Sequence, residues 1–268
     1  MLEDFSPDRT MPAPVDARPR TLVSKVPEIT ALFWIIKVLT TGMGETTSDY
    51  LAHTLDPVIA VGIGALCFAG ALALQFCVKR YIPWVYWLAV AMVSVFGTMA
   101  ADVLHVGLGV PYLVSTIFYA AVLAAVFLLW HRMERNLSIH SIHTPRREMF
   151  YWAAVLATFA LGTAAGDLTA VTLHLGYLGS GVLFAVVIAI PALAYWKFGL
   201  RAIPAFWAAY IVTRPLGASF ADWMGVSHER GGLDWGTAQV SIGWAAAIAV
   251  LVAVLAAKQR RRAGVQEA

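Results

Sequence analysis

The sequence predicts an all-α transmembrane protein: an eight-helix bundle built from four parallel two-helix repeats, with the N and C termini cytoplasmic. Three observations predict it. First, 60% of the 268 residues are hydrophobic and only 13% are charged, too little polar surface to cover a soluble globule of this size. Second, one spacing occurs four times: an aromatic, a Trp, a Gly ten residues on, and an Asp five after that. Third, Lys and Arg fall almost entirely on one side of the expected spans, and the side rich in them is cytoplasmic.

Taken in order, residues 1–24 are a polar, Pro-rich cytoplasmic tail without the apolar core or small-residue cleavage site of a signal peptide. Repeat 1 (25–79) holds apolar runs near 29–52 and 57–78, and repeat 2 (80–143) holds runs near 83–105 and 111–131. Repeat 3 (144–200) holds runs near 149–173 and 178–196, and repeat 4 (201–257) holds runs near 203–224 and 236–257. Each run approaches the ~20 residues a helix needs to cross ~30 Å of hydrocarbon. Each repeat opens near a Pro (Pro27, Pro83, Pro145, Pro204), where a missing N–H is harmless at a helix start. Two spans per unit make every repeat enter the membrane in the same direction, so the repeats are related by an axis along the membrane normal. The basic tail 258–268, with Arg260, Arg261 and Arg262, holds the last helix at the inner headgroups.

Of the 19 Lys and Arg residues, only Arg230 is expected in the opposite loops, while Lys37 and Arg214 lie inside spans. The formal charge of +3 therefore reports topology and excludes a nucleic-acid partner. Cys67 and Cys77 sit on one helix roughly 15 Å apart, too far for a disulfide.

The four motif copies are Phe33-Trp34…Gly44…Asp49, Tyr86-Trp87…Gly97…Asp102, Tyr151-Trp152…Gly162…Asp167 and Phe206-Trp207…Gly217…Asp222. On these residues the chain resembles a family of bacterial multi-pass membrane proteins made of four tandem repeats of unknown function, each with two transmembrane helices and a characteristic Trp. The resemblance covers all but the tails. It implies the fold and a bacterial inner-membrane address, and it brings no settled activity.

The bland role for Trp34, Trp87, Trp152 and Trp207 is an aromatic belt at the inner headgroups. The Trp and Asp of one helix are ~22 Å apart along the axis, which argues against a Trp–Asp bond between repeats. Gly44, Gly97, Gly162 and Gly217 open stretches of small residues. These either let backbones approach closely or let a helix loosen where it lines a cavity. Pro215 after Arg214 favours a kink in the seventh span.

Asp49, Asp102, Asp167 and Asp222 carry the functional expectation. A mid-membrane carboxylate costs roughly 2.5–3.5 kcal/mol on insertion scales, so such residues normally face a bundle interior or a water-filled path. The alternative is that each Asp caps the turn to the next helix. Glu45 lies one turn before Asp49 on the same face, and Thr98 and Thr163 take its place in repeats 2 and 3. Crowded carboxylates take up protons unless a cation joins them, which is the physical basis of exchange between a cation and protons. His53 and His105 follow their Asp at helical spacing; carboxylate plus imidazole suits a transition metal better than Na or K. His174 lies seven past Asp167, His228 lies in the outer loop, and His140 and His143 share a cytoplasmic loop. Arg214 and Lys37 are expected as counter-charges, Lys37 either pairing with a carboxylate or snorkelling inward.

The expected metal ligands are Asp49, Asp102, Asp167, Asp222, Glu45, His53 and His105, with Thr98 and Thr163 as further substrate-binding oxygens, in the periplasmic half near the repeat axis. No HExxH, GxSxG or GxxxxGK[ST] pattern is present, so no enzyme is expected. The reading is a transporter of a cation, foremost a divalent transition metal such as manganese, with proton exchange as one coupling. The alternatives are a carrier of a small organic cation and a structural or regulatory membrane protein. Its partners are the lipid bilayer and that cation. No resident cofactor is expected, and the oligomeric state is left open.

Overall fold

A computed structural model describes residues 24–266; the first tail thus lies almost wholly outside the described residues. The helices are α1 (Ala31–Thr54), α2 (Pro57–Cys77), α3 (Pro83–Asp102), α4 (Tyr112–Glu134), α5 (Pro145–Asp167), α6 (Gly176–Val187), α7 (Ala189–Phe198), α8 (Ala202–Gly225) and α9 (Thr237–Gln266). Their starts follow from local chemistry. The hydroxyl of Thr30 accepts from the Phe33 amide at 3.3 Å, and Asp56 accepts from the Val58 amide at 2.9 Å, both N-caps that satisfy otherwise orphaned donors. Proline opens α2, α3 and α5. The turn at Ile188 divides α6 from α7 three residues before Pro191, whose ring crowds the carbonyl four residues back; together the two helices make one crossing.

Among the described residues, six helical stretches are long and apolar enough to cross a membrane. The 24-residue α1 and α8 match them in length but carry the charges Lys37, Glu45, Asp49, Arg214 and Asp222. The chain is a multi-span helical membrane protein in which the least apolar helices are the most enclosed.

Four helices form the inside. Helix α1 packs on α3 and α8, α3 on α5, and α5 on α8, closing a ring. The remaining helices lie outside it: α2 packs on α3, α4 on α5, α6 on α8, and α9 returns to α1. Each outer helix thus leans on the inner helix that follows it in the chain, and the last leans on the first. The ends meet too, with Arg262 Nη1 3.1 Å from Glu28 Oε2. Helices α3 and α5 are mostly buried, whereas the outer helices are mostly exposed. Leu66, Trp196 and Phe198 are bare on that outer surface, as hydrocarbon-facing residues are. Cys67 and Cys77 are exposed there as well.

The belt expected of the motif tryptophans is corrected. Trp87, Trp152 and Trp207 are 2–5% exposed, and Trp34 is half-buried. The aromatic preceding each Trp packs on the Trp of a neighbouring inner helix: Phe33 on Trp87 at 5.7 Å, Tyr86 on Trp152 at 5.7 Å, Tyr151 on Trp207 at 6.2 Å, and Phe206 on Trp34 at 5.6 Å. Eight rings close a circle at one end of the bundle. Edge and tilted contacts of this kind add to plain burial, and the interior offers them where a headgroup does not.

Candidate functional site

The glycines set how closely the inner helices approach. A methyl group on Gly44 would overlap Ser94, on Gly97 Phe159, on Gly162 Arg214, and on Gly217 Thr41. Each partner stands seven residues after its own Trp, so the four contacts repeat around the ring. Close packing, rather than loosening, is what these glycines provide. Loosening comes later: a π-turn follows Asp102 (Val103–Gly107) and another follows Asp167 (Leu168–Thr172), at equivalent places in two helices. Such turns are local widenings of the hydrogen-bond ladder.

Moving along the axis from the aromatic ring, the first charged residue is Lys37. It is 1% exposed, its Nζ 4.1 Å from the ring centre of Phe159 and 4.4 Å from that of Tyr210, with no hydrogen-bond acceptor among the described residues. Among the described residues its Nζ pairs with no carboxylate, and two aromatic faces enclose it instead of letting it snorkel.

One turn further Arg214 is fully buried, and one turn beyond it Glu45 is 5% exposed. The Arg214 Nη2 donates to Glu45 Oε2, to Thr98 Oγ1 and, at 2.7 Å, to Thr163 Oγ1. Thr98 in turn donates to Glu45 Oε2 at 3.2 Å. Glu45, Thr98 and Thr163, each eleven residues after its Trp, and Arg214, one turn nearer the aromatic end, therefore form one ion-pair network. Among the described residues the direct ion-pair partner of Arg214 is Glu45 rather than a motif Asp.

The carboxylates come last. His105, 8% exposed, stands between two of them, its Nε2 3.2 Å from Asp102 Oδ1 and 3.5 Å from Asp167 Oδ2. Its Nδ1 lies 3.3 Å from Ser115 Oγ, which fixes the ring plane, and Tyr112 covers the ring at 4.8 Å between centroids. One ligand atom from each of Asp102, His105 and Asp167 lies within 4.8 Å of the others. Asp222 is buried, with Oδ1 unpartnered among the described residues, and it lies within Coulombic reach of Glu45, Asp49 and Asp167. Asp49 is likewise in reach of Glu45 and Asp102. The four motif carboxylates thus share one end of the bundle, two of them bridged by an imidazole.

His53 does not join them. It is exposed, and its Nδ1 turns to the Asp49 carbonyl at 2.7 Å, so the helical spacing that brings a side chain near Asp49 here satisfies main chain instead. His174 is exposed beyond the second π-turn, and His228 is bonded to the Gly232 carbonyl at 2.8 Å. Arg230 donates to Tyr177 Oη at 2.6 Å at the acidic end, where its charge reaches Asp49.

Sequence reasoning missed two groups. Ser115 and Tyr112 are ordinary residues of an outer helix, and only packing makes them neighbours of His105. At the aromatic end, Glu148 is fully buried, accepting from Lys25 Nζ at 2.5 Å and Gln75 Nε2 at 2.9 Å. An acidic residue in the first turn of α5 suits the helix dipole, but no other repeat has a counterpart to mark it.

The motif stretches coincide with matches to a family model described as Repeat of Unknown Function (DUF347), covering residues 32–81, 85–136, 150–199 and 205–261. No curated protein and no solved structure matches the chain.

Proposed function

The chain belongs to the Repeat of Unknown Function (DUF347) family, and from that premise we propose that it is a cation transporter of the bacterial inner membrane, not an enzyme. Its foremost substrate is a divalent transition metal such as manganese. The observation that carries this reading is the Asp102–His105–Asp167 cluster, whose ligand atoms converge within 4.8 Å. Two carboxylates and an imidazole are the donor set that first-row divalent ions favour over Na or K. Ser115 and Tyr112 support the His105 ring as outer-shell partners do at metal sites.

In this reading the four two-helix repeats run parallel, with both termini and the aromatic end cytoplasmic, as the Lys and Arg distribution supports. The acidic end then faces the periplasm. Asp49 and Asp222 line the approach, and protons exchange for the metal at the same oxygens. The Arg214–Glu45 network closes the axis behind the metal, as a fixed pair that an ion must displace or pass.

A carrier of a small organic cation is the second reading, favoured by the Tyr112 ring against His105, since aromatic faces attract such cations. The test is the elemental content of cells expressing wild type or the Asp102→Asn/Asp167→Asn variant at matched membrane levels. One metal altered by wild type alone supports the proposal and gives the direction of transport. Unchanged metals together with variant-sensitive uptake of an organic cation support the second reading, and equal transport by the variant refutes both site assignments.

A further inference from the structure

The aromatic ends of two repeats differ in how an outer helix covers a motif Trp. On α4, Phe127 and Trp130 pack on Trp207, with ring centres 4.9 and 5.8 Å away, and Trp130 is fully buried. At the offset that relates Trp87 to Trp152 and Asp102 to Asp167, their counterparts on α7 are Ala192 and Tyr195. Pro191, at which the α6–α7 crossing is interrupted, stands where the unbroken α4 has Val126. An alanine thus replaces a ring, and Tyr195 is exposed where Trp130 is enclosed. What remains is a cavity of about 550 Å³ walled by Trp34 and Val38 of α1, by Pro191, Ala192 and Tyr195 of α7, and by Phe206 of α8. It explains why Trp34 alone of the motif tryptophans is only half-buried, and its size lies within the ~300–1,000 Å³ of small-molecule sites.

Three features define the occupant. Ile29, Tyr195 and Trp196 line the cavity and are also exposed on the outer surface, so it opens sideways and is reached from the bilayer. Its walls are aromatic and aliphatic, and the hydroxyl of Thr213 beside them already donates to the Tyr210 carbonyl at 2.6 Å. Such a lining suits an alkyl chain. The end towards the α7–α8 turn is basic: His140 lines the cavity, Lys197 follows Trp196, and Arg201 precedes α8, whose first turn holds no acid. Glu28, the acidic neighbour of Ile29, is taken by Arg262. Basic residues at headgroup level beside a gap between membrane helices attract anionic lipid.

We propose that this seam binds one anionic phospholipid, with an acyl chain along Trp34 and Phe206 and the phosphate held by Lys197, Arg201 and His140. The site lies on the outer side of α1 and α8, away from the carboxylate cluster, so it stands or falls independently of the cation reading.

The test is native mass spectrometry of the full chain released from detergent, titrated with phosphatidylglycerol or with phosphatidylcholine of the same acyl chains. Wild type should take up one phosphatidylglycerol before any other lipid. Ala192→Phe restores the ring that α4 carries at Phe127, and should raise the concentration needed for that first event at least about tenfold, the effect of about two methylenes kept out of the cavity. Lys197→Gln/Arg201→Gln should raise it about fivefold or more for phosphatidylglycerol and leave phosphatidylcholine unchanged. Equal binding of the two lipids by wild type overturns the proposal, as does an unaltered first event in either variant. A lipid-independent dimer that Ala192→Phe abolishes also overturns it, and makes the seam an interface between copies. Should Ala192→Phe fail to fold, Ala192→Leu, which fills less of the cavity, decides in the same way.

Discussion

Glu45 and Arg214 lie 169 positions apart in the chain and meet on the bundle axis as a buried ion pair, joining the first repeat to the fourth. Thr98 and Thr163 from the two repeats between them complete the network.

That pair makes stability depend on both partners at once. Glu45→Gln leaves the guanidinium of Arg214 buried without its carboxylate, and breaking such a pair costs about 3–5 kcal/mol. Replacing both partners by apolar residues is far milder, so Glu45→Met/Arg214→Met should unfold at a higher temperature than either single variant. Thermal unfolding in detergent checks this; additive losses in the double variant would show that the two residues are not coupled.

Glycines that look alike in sequence should behave oppositely. A methyl group on Gly217 would press on Thr41 and the Val38 carbonyl, and such overpacking costs about 1–3 kcal/mol. Among the described residues nothing stands within 4 Å of a methyl group built at Gly62. Gly62→Ala should therefore be neutral or gain up to about 1 kcal/mol from helix propensity. The same unfolding assay separates them, and equal effects would contradict the described packing.

Two histidines at similar distance from a motif Asp should differ in metal binding. His105→Ala should abolish saturable Mn binding to purified protein, and Ser115→Ala should weaken it about tenfold by freeing the ring. His53→Ala should leave it unchanged, because that imidazole bonds main chain. Paramagnetic resonance of titrated Mn reads all three, and a metal-binding defect confined to His53→Ala would reverse the site assignment.

Arg230 is a positive charge within reach of the acidic end, held there by Tyr177. Its removal should strengthen cation binding by up to about fivefold at low salt, the scale of an exposed charge interaction. The gain should vanish near 1 M salt, where the screening length falls to about 3 Å. Salt-independent affinity in Arg230→Ala would show instead that the loop acts by shape.

The sequence was legible where the ring repeats. Trp, Gly and Asp recur at fixed offsets because four inner helices must present a ring, a close contact and a carboxylate at the same depth. What was hidden is which face of each helix turns inward. In hydrocarbon both faces are apolar, so the stripe that betrays a soluble helix is faint. For that reason the tryptophans read as a headgroup belt although they pack inside, and Lys37 read as a snorkelling residue although Phe159 and Tyr210 enclose it. The same blindness hid Ser115 behind His105 and joined His53 to a site it does not enter. Lys25, Gln75 and Glu148 break the fourfold pattern, so repetition carried no trace of them.

The ring that closes α9 and α8 onto α1 also sets a schedule. Helix α1 emerges first, with Lys37, Glu45 and Asp49, yet its guanidinium partner is made 169 residues later, and Ser241, which bonds Thr46, 195 residues later. At about 5–20 residues per second of synthesis, the first helix waits roughly ten to thirty seconds with two carboxyl groups and a lysine unsheltered. During that interval lipid is a poor host for it, and the insertion machinery must hold what the finished bundle later encloses. Biogenesis, more than the folded state, is where this architecture is exposed to failure.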